Sequence, residues 1–226
     1  MRTLRKTAGE QTSFIVAEAD PACLQALRDL EFTETVDGFA MSFPSASPLL
    51  DRAYDNFARD AEEMILQTAR LRSVPWDHAL EAFLSIVEDE AFSWWLVGST
   101  ALAVRGLDVI PRDIDLSVDN AGAQRLAELL ADSIVQPVQA TPNWFCDWFG
   151  RAFLHARIEW VGGVDARADD PEISDFGSTA ASRMQTIQWR GHSVHVPPLD
   201  LQLLVSQRRG LSERVAQIQK VMESGG

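Results

Sequence analysis

Apolar and polar positions change period several times along this chain, and each change predicts an element. Residues 13–19 are mostly aromatic, β-branched or small and predict a strand. Asp20-Pro21 then supplies a helix N-cap and a proline suited to the first helical position, with apolar residues at helical spacing as far as Leu30. Residues 31–43 predict a hairpin turning at Asp37-Gly38, with Val36, Phe39 and Met41 among its apolar positions. Beyond Pro44-Ser45-Ala46-Ser47-Pro48, the set Leu50, Tyr54, Phe57, Ala61, Met64, Ile65 and Thr68 falls on or near one helical stripe and predicts a long helix over 49–71. Ser73-Val74-Pro75 ends it. A further helix over 76–90 turns Leu80, Phe83, Leu84 and Val87 to a core and Asp77, Glu81, Glu88, Asp89 and Glu90 mostly to solvent.

From residue 93 short strands alternate with helices. Strands are expected at 94–97, 113–118, 134–139, 153–161, 184–189 and 193–196, the last two around a turn at Arg190-Gly191. Helices are expected at 99–105, at 121–132 with Leu126, Leu129 and Leu130 inward, and at 199–207 and 211–222. The final Ser224-Gly225-Gly226 is expected to fray. A boundary falls between 45 and 75, giving an N-terminal α/β element with a long helix over 1–74 and a larger domain over 75–226. There is no internal repeat or low-complexity tract.

Composition narrows the picture. A 46% hydrophobic content over 226 residues fills a real core, and two distant cysteines, Cys23 and Cys146, form no disulfide framework, so buried thiols in a reducing cytoplasm are expected. The N-terminal apolar run is too short for a signal peptide, and the longest uncharged stretch, 91–104, falls short of a membrane span. The net charge of −13 describes a surface that repels bulk nucleic acid. It leans towards a cationic small molecule as partner, with a tRNA end or a protein hydroxyl left open because one basic groove suffices for either.

The candidate chemistry lies in Trp94-Trp95-Leu96-Val97-Gly98-Ser99 and in Asp113-Ile114-Asp115-Leu116. Strand parity puts Asp113, Asp115 and Ser117 on one face and Ile114, Leu116 and Val118 on the other. A second strand repeats the arrangement, with His155, Arg157 and Glu159 opposite Leu154, Ala156, Ile158 and Trp160. If both strands share a sheet, three carboxylates stand on one open face and repel each other until a hard cation such as Mg²⁺ neutralises them. Gly98-Ser99, at a strand-to-helix turn, offers backbone room, free amides and a hydroxyl to phosphate oxygens.

Together these stretches resemble the nucleotidyltransferase superfamily related to DNA polymerase β. Its signature is a hydrophobic residue before Gly-Gly or Gly-Ser, a spacer, acid-hydrophobic-acid, and a third acid on a later strand. Here it reads Val97-Gly98-Ser99, a spacer of thirteen residues, Asp113-Ile114-Asp115 and Ile158-Glu159-Trp160. The wording is most similar to antibiotic and toxin-type bacterial nucleotidyltransferases and covers about residues 76–222. The resemblance implies an α+β fold, with a mixed β-sheet, helices packed on one face, a small N-terminal α/β element and C-terminal helices. It also implies Mg²⁺-dependent transfer of a nucleoside monophosphate from an NTP to a hydroxyl acceptor, with pyrophosphate released. Asp113, Asp115 and Glu159 would form a two-metal site, Glu159 doubling as a candidate base, and Gly98 with Ser99 would hold the outer phosphates.

Alternatives stand beside this reading. Asp147 and Asp165 compete with Glu159 as third acid, and Arg157 either pairs with a phosphate or neutralises Glu159. His192 and His195, three apart in a strand, point to opposite faces and make no zinc site. The aromatic group Trp144, Phe145, Trp148 and Phe149 reads first as core and second as the wall of a base or acceptor pocket. A catalytically inactive module of the same fold, of toxin and antitoxin type, is the alternative function.

Overall fold

A computed structural model describes residues 1–142 and 144–224 of the chain; the end at Gly225-Gly226, expected to fray, lies outside the described residues. The chain begins with a strand that the apolar pattern does not announce. Strand β1 (Arg2–Ala8) is largely exposed, turns at Gly9-Glu10, and pairs antiparallel with β2 (Gln11–Ala17). As an edge strand it has only one neighbour, and its Arg and Lys side chains suit an exposed edge. The Asp20 carboxylate accepts from Ala22 N–H and starts a 3₁₀ turn that runs into α1 (Leu24–Asp29). Strands β3 (Thr33–Thr35) and β4 (Gly38–Pro44) close the hairpin, with Val36-Asp37 rather than Asp37-Gly38 at the turn and Val36 fully exposed at its tip.

Helix α2 (Leu50–Thr68) joins this four-stranded sheet to the rest of the molecule. Its buried stripe of Ala53, Phe57, Ala61, Met64 and Ile65 stacks Phe57 on Phe14 and Phe32. Its polar flank works too, since Asn56 Nδ2 donates to the carbonyls of Ala131 and Ile134, both at 2.9 Å. Helix α3 (Trp76–Val87) buries the expected Leu80, Phe83, Leu84 and Val87. One apolar cluster runs from Phe14 through Phe57 and Leu80 to Trp160 and Val196.

The central sheet is built from β5 (Trp94–Val97), β6 (Ile114–Val118), β7 (Ile134–Ala140), β8 (Cys146–Leu154) and β9 (Ala156–Val164). Helix α4 (Gly98–Ala103) follows β5, and α5 (Asn120–Leu129) follows β6. The spatial order is β5-β6-β9-β8-β7; β6 and β9 are parallel and the other pairs antiparallel, which makes the sheet mixed. The single strand expected over 153–161 is two. The chain reverses at His155, which takes a left-handed φ of 63°, so Phe153-Leu154 end β8 while Arg157 and Glu159 belong to β9. No glycine or proline marks that reversal. Gly150 sits opposite Trp160 because a Cβ there would lie 2.3 Å from the indole.

Helix α6 (Ser178–Ser182) precedes the hairpin of β10 (Gln185–Trp189) and β11 (His192–Val196), which turns as expected at Arg190-Gly191, both with positive φ. Helices α7 (Leu199–Arg208) and α8 (Ser212–Ser224) finish the described chain. Among the described residues no helix is long and apolar enough to cross a membrane. Cys23 and Cys146 are both buried free thiols.

Candidate active site

Parity does on β6 and β9 what the alternation of residues requires. Ile114, Leu116, Val118, Ile158 and Trp160 are buried on one face, and Trp160 Nε1 donates to the Ala123 carbonyl of α5 at 3.1 Å. The opposite face carries Asp115 and Glu159, which are direct register partners across the parallel pair. Asp113 immediately precedes β6, its carbonyl held by the Thr100 hydroxyl of α4 at 2.7 Å. One carboxylate oxygen from each of Asp113, Asp115 and Glu159 falls within 4.8 Å of the other two.

Two arginines share this face. Arg151, on β8, is the register partner of Glu159 and donates to its carboxylate at 2.5 Å, while its Nη1 reaches the Leu30 carbonyl at 3.1 Å. Arg157 pairs with Asp113 and lies 3.5 Å from Glu159. Burial pushes on Glu159 in the upward direction, but Arg151 and Arg157 beside it hold its carboxyl below the usual range. Asp115 is different. Burial, with Asp113 and Glu159 close by, pushes its carboxyl well above the usual range. Three carboxylates against two guanidiniums leave one negative charge over, and it is Asp115 that lacks a cationic partner of its own among the described residues.

The Gly98-Ser99 turn closes over the acids. Gly98 has φ of 62°, and a Cβ there would come 3.2 Å from Asp115 Oδ2. Its N–H donates to Asp175 Oδ2 at 3.3 Å and its carbonyl accepts from Gln202 of α7 at 3.3 Å. Ser99 is half-buried beside it. Asp175 is a buried fourth carboxyl, pushed up by burial. It arrives on a segment whose backbone is pinned to the same face: Trp95 Nε1 donates to the Asp175 carbonyl at 2.9 Å and the Ser117 hydroxyl to the Phe176 carbonyl at 3.2 Å. No periodic signal marks Asp175, because it lies in irregular chain, and Arg151 falls between the aromatic group at 144–149 and the strand expected from 153.

The competing acids have other tasks. Asp165 caps the 3₁₀ turn Ala166–Asp169 and pairs with Arg167 at 2.5 Å, and Asp147 is exposed on β8. His192 stands 3.8 Å from Glu88, whereas His195 meets the ring of Trp94. His78 stacks on His155 with centroids 4.1 Å apart. Among the described residues no histidine or cysteine joins a group of three metal-ligating side chains. Trp144, Phe145 and Phe149 form a ring cluster that Phe176 joins at 5.8 Å from Phe145, with Trp144 substantially exposed, so this group is not simply core.

The donor set suits a hard divalent cation. All three groups offer carboxylate oxygen, the chemistry preferred by Mg²⁺, and the upward push on Asp115 expresses the same crowding that a cation relieves.

Among known proteins, no family model and no curated sequence matches the chain. Solved structures do resemble it, and they are nucleotidyltransferases by description. A nucleotidyltransferase candidate from Thermotoga maritima is 19% identical and aligns over 64% of this chain and 91% of its own, with a TM-score of 0.49. The lincosamide antibiotic adenylyltransferase LnuA, in its lincomycin-bound form, is 12% identical over 66% of this chain and 98% of its own, with a TM-score of 0.48. ANT(2″)-Ia in complex with adenylyl-2″-tobramycin is 13% identical over 63% and 87%, with a TM-score of 0.40.

Proposed function

We propose that this chain is a Mg²⁺-dependent nucleotidyltransferase that moves a nucleoside monophosphate from an NTP to a hydroxyl acceptor and releases pyrophosphate. The observation that carries the reading is the carboxylate triad, with Asp115 and Glu159 in direct register on parallel strands and Asp113 beside them. Asp113, Asp115 and Glu159 would hold the metal. Bound there, Mg²⁺ would supply neutralisation of the charge on the reacting phosphates, on which phosphoryl transfer chiefly depends. Gly98 leaves backbone room above Asp115, and Ser99 offers a hydroxyl to an outer phosphate.

Glu159 fits a ligand better than a general base. Arg151 and Arg157 hold its carboxyl low, and a carboxylate with a depressed proton affinity abstracts protons poorly. Arg157 donates to one oxygen of Asp113 and stands 3.5 Å from one of Glu159, so a cation held by those same oxygens would compete with it, and the released guanidinium would be able to pair with a phosphate oxygen. The acceptor that the net charge of −13 favours is a small cationic molecule.

Incubation with Mg²⁺ and NTPs labelled at the α-phosphate, against panels of antibiotics, tRNA and lysate, tests the reading. Label should move to one acceptor class, and Asp113→Ala or Asp115→Ala should abolish the transfer while the circular dichroism spectrum is kept. Absence of any Mg²⁺-dependent NTP binding by the wild type would sink it. One observation favours the second reading, an inactive module of this fold: the arginines already neutralise most of the triad. Such a module would keep its Arg157–Asp113 pair at every Mg²⁺ concentration.

A further inference from the structure

On the face of the central sheet that carries the acids, side chains run in rows across all five strands. Val97, Asp115, Glu159, Arg151 and Gln136 are successive register partners, and so are Trp95, Ser117, Val161, Phe149 and Gln139. At the β7 end both rows open into a cavity of about 440 Å³ lined by Gln136, Gln139, Thr141, Trp144 and Phe149, with the exposed Glu31 also contributing. Trp144 and Phe149 form its aromatic wall, their centroids 5.9 Å apart.

The two glutamines should not share a face on a regular strand, because positions three apart point oppositely. An irregularity in register between them puts Gln136 opposite Arg151 and Gln139 opposite Phe149, and so brings both to the same side. Bulges of this kind re-aim side chains next to sites. Gln136 is only 6% exposed, and its Oε1 finds no hydrogen-bond partner among the described residues; Gln139 Nε2 is likewise buried and unpaired. The unpaired acceptor and the unpaired donor thus belong to two residues that line one aromatic-walled cavity, and a planar ring with a donor and an acceptor on its edge would satisfy both.

Position supplies the role. If Gly98 and Ser99 hold the leaving pyrophosphate on the β5 flank of the acids, in-line attack brings the acceptor from the opposite flank, towards β8 and β7. Two strand spacings separate Gln136 from Glu159, about 10 Å between backbones, with the buried Arg151 as the register partner of both.

We propose that this cavity is the acceptor subsite and takes an uncharged heteroaromatic ring, stacked on Trp144 and hydrogen-bonded at its edge by Gln136 and Gln139. The assignment of the ring to the acceptor rests on the nucleotidyltransferase reading above. A cationic substituent on that ring would meet Glu31.

The full chain, saturated with Mg²⁺ and α,β-methylene-ATP so that any nucleotide-base pocket is filled, would be titrated with adenosine, guanosine, cytidine and uridine by saturation-transfer NMR and calorimetry. At least one nucleoside should bind, and Gln136→Leu and Trp144→Ala should each weaken it about tenfold, in the range of a lost base–aromatic stack. Trp144→Phe should retain binding. Trp144 is 43% exposed, so its replacement leaves the fold intact even if Gln136→Leu does not. Affinity for α,β-methylene-ATP should not change in any variant. The proposal is overturned if no nucleoside binds, or if Trp144→Ala binds them as the wild type does. It is also overturned if the variants weaken α,β-methylene-ATP but not inorganic tripolyphosphate, since the cavity would then hold the nucleotide's own base. Nucleoside binding that depends on Trp144 in a protein that binds no Mg²⁺-nucleotide would keep the ring site but remove the acceptor role, and that result separates the failure of the two readings.

Discussion

Asp115 sits between two like charges without a cationic partner of its own among the described residues, and the consequence can be followed through pH. Its carboxyl is pushed above its unfolded value by burial and by Asp113 and Glu159, so the folded state prefers it protonated. Its contribution to stability is therefore present below the unfolded value and is lost as pH rises through the raised folded one. Asp115→Asn should stabilise the metal-free protein at neutral pH while abolishing transfer, which urea melts and the labelling assay would measure together. Arg157 gives the complementary case. Removing it leaves Asp113 unpaired, and Arg157→Gln should cost about 3 kcal/mol in metal-free protein, with part recovered on adding MgCl₂. Equal losses with and without Mg²⁺ would mean that Arg157 and a cation do not share the same oxygens.

At the scale of elements, the site depends on backbone close approach. Between β8 and β9, Gly150 leaves room for the Trp160 indole that backs the acid-bearing strand, and Gly150→Ala should destabilise by about 2 kcal/mol through overpacking, measured by thermal melts. The segment that carries Asp175 to Gly98 is organised by a single carboxylate. Asp169 accepts from the backbone N–H of Ser174 and of Thr179, both at 2.9 Å, and from the Ser178 hydroxyl at 3.2 Å. Burial acts to raise its carboxyl, but those donors outweigh it and hold it below the usual range. Its contribution is therefore present above the unfolded value and lost as pH falls through the depressed folded one. Asp169→Ala should cost about 1–2 kcal/mol and raise amide hydrogen exchange from Ser174 to Thr179. Unchanged exchange there would show that other contacts hold the segment.

Across the whole molecule, what the sequence revealed follows its periodicity. Strand parity on Asp113-Ile114-Asp115 and Ile158-Glu159-Trp160 was enough to put the three acids on one face, because burial of the alternate residues leaves them no other choice. Helices α2 and α3 were legible from their stripes. Strand β1 was not, since an exposed edge strand needs no apolar face, and the reversal at His155 was not, since a left-handed histidine looks like any other residue in a sequence. Arg151 and Asp175 were missed for a third reason: they join the acids through register and loop placement, which are tertiary facts. The acids and Arg157 beside them were therefore readable, whereas the second arginine and the fourth carboxyl were not.

On the proposed function, this acidic face binds a metal–nucleotide complex. Calorimetric titration of the wild type and of Asp115→Asn with NTP, in Mg²⁺ and in EDTA, tests it most directly. Saturable binding by the wild type should require Mg²⁺ and be lost in Asp115→Asn; binding that persists unchanged in EDTA or in the variant would rule out a metal-dependent nucleotide site on this face.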